Sequence, residues 1–306
     1  MLRQQVAEKL PLKKGEGERP LEMRLLLNII PGVRPLFFKT VSFALLAAVL
    51  GAGEASARHV LAGQSNEQLT PIQREIQHQR QRLNSADLEE RRDALMRLGS
   101  LKRPDASRVA ATGLSDVAPI VRVTAMHAIR SLPPAEAAAL LIPLLPDKLE
   151  FVRREAAYAL GETHSRTAVA ALIGLLTNDK DAGVRGAAAV ALGEIGDESA
   201  VQPLSQVLAG PTGKKKKAKT GESQFVMRAA ARALGQIRSR SGVEVLIATL
   251  ANDANDNDVR REAATALGLI GDPAAGPALQ AAFGSSDPYL REAARESLRL
   301  LKLAGK

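Results

Sequence analysis

Six arginines, Arg91, Arg122, Arg153, Arg185, Arg260 and Arg291, recur at one place in a phrase that the chain repeats, and guanidinium groups in such a row could bind anions. Packed helices stand about 10 Å apart, so the row repels itself unless carboxylates interleave. Asp116, Asp147, Asp181, Asp258 and Asp287 lie just upstream of the phrase and can supply them, which favours a structural Arg–Asp ladder setting the register between neighbouring units. One place breaks the row. Met227 stands where the arginine belongs and Arg228 follows it, so an irregularity is expected there.

The next candidate is "KKKKAK". Lys214, Lys215, Lys216, Lys217 and Lys219 repel one another and stay solvated, either as a solubilising insertion or as a salt-sensitive binder of an anionic surface. No aromatic residue interleaves with them, so single-strand base stacking is unsupported and no specific nucleic acid is expected. His59, His78, His127 and His164 show no paired ligand spacing, and with no cysteine there is no thiolate site. No catalytic residue, metal site or cofactor is expected. "NDANDND", Asn252 to Asp258, alternates oxygen ligands but has Asp258 where a calcium loop needs glycine and Ala264 where it needs the bidentate glutamate. It reads as a turn with helix-capping residues. Phe151, Phe225 and Tyr289 open alternate copies of the phrase and are expected to be buried, because aromatics are only 3% of the chain.

These residues depend on a repeated element. "VRREAAYALGE", "VRGAAAVALGEIG", "VMRAAARALGQ" and "VRREAATALGL" are variants of one phrase. Aligned on the glycine of "ALG", the copies fall at Gly99, Arg130, Gly161, Gly193, Gly235, Gly268 and Arg299, at intervals of 31, 31, 32, 42, 33 and 31 residues. That period holds two short helices, and the excess of the long interval is the lysine segment at 211–223. The first helix starts near an Asp and ends at the glycine; the second carries leucine pairs such as Leu172/Leu176, Leu204/Leu208 and Leu246/Leu250 on one face. A hairpin cannot cover its own stripe, so neighbours must stack, and the alanines Ala156, Ala188, Ala230 and Ala263 allow first helices to approach closely.

The pattern resembles HEAT repeats, more narrowly the short HEAT-like type of the phycobilisome lyase repeats, on the residues "FVRREAAYALGE", "GVRGAAAVALGEIGDESAVQPL" and "DVRREAATALGLIGDPAAGPAL". The resemblance implies an all-α solenoid of about six to seven stacked helical hairpins over 87–306, serving as a binding scaffold. Residues 58–86 form a linker and a capping helix, Pro71 to Leu83.

Residues 1–57 read as a leader: Arg34 and Lys39, an apolar run over about 41–53, then Ala55, Ser56 and Ala57, the order of a secretory signal cleaved after Ala57. Met23 is a plausible second start. Extended back through "PLFF", the run nears spanning length, and an uncleaved anchor is the competing reading. Both place the body outside the cytoplasm, whereas a third reading, an apolar tail on a cytoplasmic protein, does not. Of the net charge of +9, the leader holds +3 and the lysine segment +5, so the repeat body is close to neutral.

The functional expectation is an exported, non-enzymatic scaffold that binds another protein along the inner face of its second helices, near Gln202, Gln206, Glu244 and Gln280. A bilin lyase is the first rival, and the leader counts against it. An alkylpurine DNA glycosylase would use tryptophan, which this chain lacks.

Overall fold

The computed structural model describes residues 69–210 and 222–304, so the leader and Lys214, Lys215, Lys216, Lys217 and Lys219 lie outside the described residues. Fourteen α-helices and no strands occur among the described residues. The first, α1 (Pro71–Arg82), starts from a capping box in which Thr70 and Gln73 exchange side-chain and backbone bonds, and it covers α2 with Ile76. Six hairpins follow: α2 (Leu88–Ser100) with α3 (Pro104–Ala110), α4 (Pro119–Ala128) with α5 (Pro134–Leu141), and α6 (Glu150–Glu162) with α7 (Val169–Asn178). The remaining three are α8 (Ala182–Ile195) with α9 (Val201–Ala209), α10 (Gln224–Ile237) with α11 (Val243–Ala251), and α12 (Asn257–Ile270) with α13 (Gly276–Phe283). A last first-type helix, α14 (Pro288–Ala304), ends the described residues. Contacts run between successive first helices and within hairpins, which is the architecture of an α-solenoid.

The phrase explains the spacing. Ala156, Ala188, Ala230 and Ala263 are completely buried between successive first helices. The closest approach is at the glycines. A Cβ on Gly161, Gly193, Gly235 or Gly268 would stand 2.8 Å from the Cα of Ala191, Ala233, Ala266 or Ser297 in the next first helix. Real side chains do not approach a backbone that closely, so glycine there is a packing requirement. Where Arg130 replaces the glycine, α4 stops early at Ala128 and a cavity of about 310 Å³ opens between α4, α5 and α6.

The leucine rows Leu141/Leu145, Leu172/Leu176, Leu204/Leu208 and Leu246/Leu250 are buried as their spacing predicts, and Leu279 continues them. Phe283 does not: no second helix follows α14 among the described residues, and its ring stays 43% exposed. The expected burial of the aromatic trio fails in part. Phe151 packs against the core, but Phe225 is 42% exposed although one edge of its ring lies over Gly186, and Tyr289 is 68% exposed, its ring face met by the Arg261 guanidinium at 5.2 Å.

Candidate functional site

The arginine row is a ladder, with a geometry more specific than its spacing revealed. Each regular arginine reaches back with Nη1 to the carbonyl six residues earlier: Arg91 to Ser85, Arg122 to Asp116, Arg153 to Asp147, Arg185 to Asp179 and Arg291 to Ser285. The other side of the guanidinium meets the turn of the next repeat. Arg91 pairs with Asp116 (Nε–Oδ2 2.7 Å), Arg122 with Asp147 (Nη2–Oδ2 2.8 Å) and Arg153 with Asp179 (Nε–Oδ2 2.6 Å). Arg185 pairs with Glu222 (Nη2–Oε1 2.7 Å), just past the lysine segment. One guanidinium therefore ties two inter-repeat turns together, and the paired carboxylates also brace their own turns: Asp116 accepts from Ala118 N–H and Asp179 from Asp181 N–H.

Burial by itself would raise the Asp116 and Asp179 carboxyls, but the hydrogen bonds from Arg91 and Arg153 and from the backbone N–H groups hold both below the usual carboxylate range. The Arg153–Asp179 pair is the most enclosed, with side chains 8% and 7% exposed.

Three of the expected carboxylates do other work. Asp181 caps α8 by accepting from Val184 N–H, Asp287 accepts from Leu290 N–H and from Asn257 Nδ2, and Asp258 pairs with Arg228 and Arg261. The acceptor must sit in the turn ahead of the cap, which selects Asp179 over Asp181. The row breaks at Met227 as expected, but the break is wider than one unit, because Arg260 and Arg291, expected in the ladder, meet no carboxylate of a following turn among the described residues. Met227 is buried, while Arg260 turns to the Leu250 carbonyl and to the exposed Asp253 of its own preceding turn. Ser285 and Ser286 occupy the next turn, and among the described residues Arg291 meets only their carbonyls. "NDANDND" forms the turn expected of it, with Ala254 N–H donating to Asn252 Oδ1 and Asn255 Nδ2 to the Thr249 carbonyl.

One carboxyl moves the other way. Glu194 lies across Gly161, its Oε2 enclosed without a hydrogen-bond partner; burial, reinforced by nearby Glu162, pushes its pKa up.

Gln202, Gln206, Glu244 and Gln280 are all exposed on second helices. Gln202 and Glu244 each precede the first leucine of their helix by two residues and share a register position on α9 and α11, with Gln206 one turn further along α9. Gln280 does not join them; it lines a cleft with Phe283, Arg295 and Arg299 between α13 and α14. Sequence reasoning missed the surface of α5 and α7, where Ile142, Pro143, Pro146, Ala171, Gly174 and Leu175 line an open groove of about 580 Å³.

Fold and site together define an α-helical repeat protein with stacked hairpins. The HEAT-repeat family model matches residues 144–220 and 215–299, just over half of the chain, and the chain belongs to that family. No curated protein matches it. Among solved structures it is similar to YibA of Escherichia coli (19% identity, TM-score 0.51, covering 75% of this chain and 82% of that one). It is also similar to the CpcE–CpcF phycocyanin lyase complex of Nostoc (26% identity, TM-score 0.44, 78% and 96%) and to human deoxyhypusine hydroxylase (22% identity, TM-score 0.33, 75% and 96%).

Proposed function

We propose that this HEAT-repeat chain is an exported, non-enzymatic scaffold that binds another protein along its second helices. The observation that carries the reading is the solvent-facing row Gln202, Gln206 and Glu244, projected from helices whose buried leucines fix their position. Polar, mostly uncharged groups held on a rigid surface suit a specific interface of moderate affinity. Supporting the non-catalytic part, the enclosed guanidinium and carboxylate groups of the ladder are engaged with one another and with turn carbonyls, leaving their protons committed to structure. Export rests on the order of basic, apolar and small residues over 34–57.

The test is affinity capture from native cell-envelope extract with the tagged protein and with a Gln202→Arg/Gln206→Arg/Glu244→Lys variant. A protein retained by the first and lost by the second supports the reading; identical capture by both refutes it. N-terminal sequencing of the native protein tests the leader, a new terminus after Ala57 being the expected result.

A further inference from the structure

One place past the seam glycine, Glu162, Glu194, Gln236 and Leu269 each lie over the corresponding position of the preceding first helix. Glu162 finds a cation there, Arg130 Nη2 at 2.5 Å. Gln236 covers Gly193 and Leu269 covers Gly235, and neither carries a charge. Glu194 covers Gly161 with an ionisable group whose Oε2 is enclosed and has no hydrogen-bond partner. Of the four, only Glu194 must either keep a proton or hold an unmatched charge in the seam. The charged groups around it are Glu162 and His164 from the end of α6 and its following turn, Arg130 of α4 through Glu162, and the Arg166–Asp197 pair. The adjoining α7 and α9 contain no titratable residue, and α10 presents the neutral Gln236. His164 Nδ1 donates to the Glu194 carbonyl at 2.8 Å, a bond that the Nδ1–H tautomer and the imidazolium both make. The other end of the same joint is closed differently. There Arg153 binds Asp179 of the turn before α8 and the Asp147 carbonyl of its own turn.

We infer that the α6–α8 joint is a proton-set hinge: with Glu194 protonated the C-terminal ends of the two helices stay closed over Gly161, and with Glu194 ionised they part while the Arg153–Asp179 pair holds the N-terminal ends. An enclosed charge without a partner is costly, and Glu162 beside it adds like-charge repulsion, so ionisation draws water into that end. The neighbouring joints lack the device. Between α4 and α6 both ends are closed by ion pairs, Arg122–Asp147 and Arg130–Glu162; between α8 and α10 the ends are closed by Arg185–Glu222 and by the uncharged Gln236. Because α7 and α9 follow directly from the hinged ends, the proton sets the pitch between two second helices. Closure is present below the ordinary carboxylate range and is lost as pH rises through the raised folded value of Glu194. Between those two values the closed-to-open ratio falls by at most about tenfold per pH unit. The inference holds whatever the second helices bind.

The chain has neither cysteine nor tryptophan, so contact quenching of one bimane label by one tryptophan reads a single joint of the full chain without background. Thr167→Cys, labelled with bimane, and Ser199→Trp are exposed sites just past the two C-terminal ends; Lys148→Cys with Lys180→Trp reports on the N-terminal ends. As pH is raised from about 4 to about 8, quenching at the C-terminal ends should fall about twofold or more, while the N-terminal pair stays constant. Glu194→Gln should keep the C-terminal ends quenched throughout, and His164→Asn should leave the transition in place. Glu162→Gln removes the like charge and frees Arg130, so it should move the midpoint to lower pH. Constant quenching at the C-terminal ends would mean that the ionised carboxyl swings out to water without moving the helices, and would overturn the hinge. A transition that survives Glu194→Gln, equal loss at both ends, or a midpoint that Glu162→Gln leaves in place or raises would each overturn it too.

Discussion

From Arg91 to Arg185 four arginines bind four carboxylates of the following turns; from Met227 to Arg291 no arginine of the row does. The helices stack without interruption in both halves, and the glycine–alanine seam is as close at Gly235 and Gly268 as at Gly161 and Gly193. The seam therefore suffices to hold register, and the ladder is an addition to it. This follows from the range of each interaction. A backbone in contact with a backbone rejects displacement steeply, whereas an ion pair gains little beyond its desolvation cost.

The contrast is sharpest for single carboxylates. Asp179→Ala leaves the Arg153 guanidinium enclosed and half-satisfied, with an expected cost of about 3 kcal/mol, while Asp253→Ala removes only an exposed partner of Arg260 and should cost less than about 0.5 kcal/mol. Urea denaturation of both variants measures the difference; equal losses would erase the distinction between the halves. Next in size is the seam where the ladder is missing. Gly235→Val drives a branched side chain into Ala266 and should cost about 2 kcal/mol by overpacking. A loss near zero would show that the C-terminal half is held by something else.

Smaller effects separate the two kinds of carboxyl by pH. Asp116 and Asp179 are depressed below their unfolded values, so the stability they contribute is present above about pH 4 and disappears as pH falls through their folded values. Glu194 is raised, so its contribution is present below about pH 4 and disappears as pH rises through its folded value. Glu194→Gln copies Gln236, which lies against Gly193 in the next repeat, and should raise the melting temperature at pH 7 but not at pH 4. An unchanged difference between the two pH values would remove the strain assigned to Glu194. A small gain of about 0.5 kcal/mol from helix propensity is expected at Gly174→Leu, read by thermal melting. A loss instead would mean that the groove floor is needed by the fold.

Much of this was legible in the residues. The period, the hairpin, the buried alanines and the leucine rows follow from a repeated phrase, and Met227 marks one break in the ladder, though not its loss at Arg260 and Arg291. The acceptors were not so clear. "NDKD" offers both Asp179 and Asp181, and choosing between them requires knowing that one caps α8 and the other occupies the turn ahead of it. Glu222 was hidden by the insertion before it, and Tyr289 was expected inside although no later helix among the described residues comes to cover it.

Sequence alone determined that this chain forms two-helix units that must stack, because the periodicity of its apolar and small residues is a local property that no isolated hairpin can satisfy. Tertiary structure alone decided which carboxylate each arginine meets and where an open groove remains. Both depend on side chains of successive repeats, about 25 to 37 residues apart, brought together by the rotation and rise of the stack, which no linear spacing encodes.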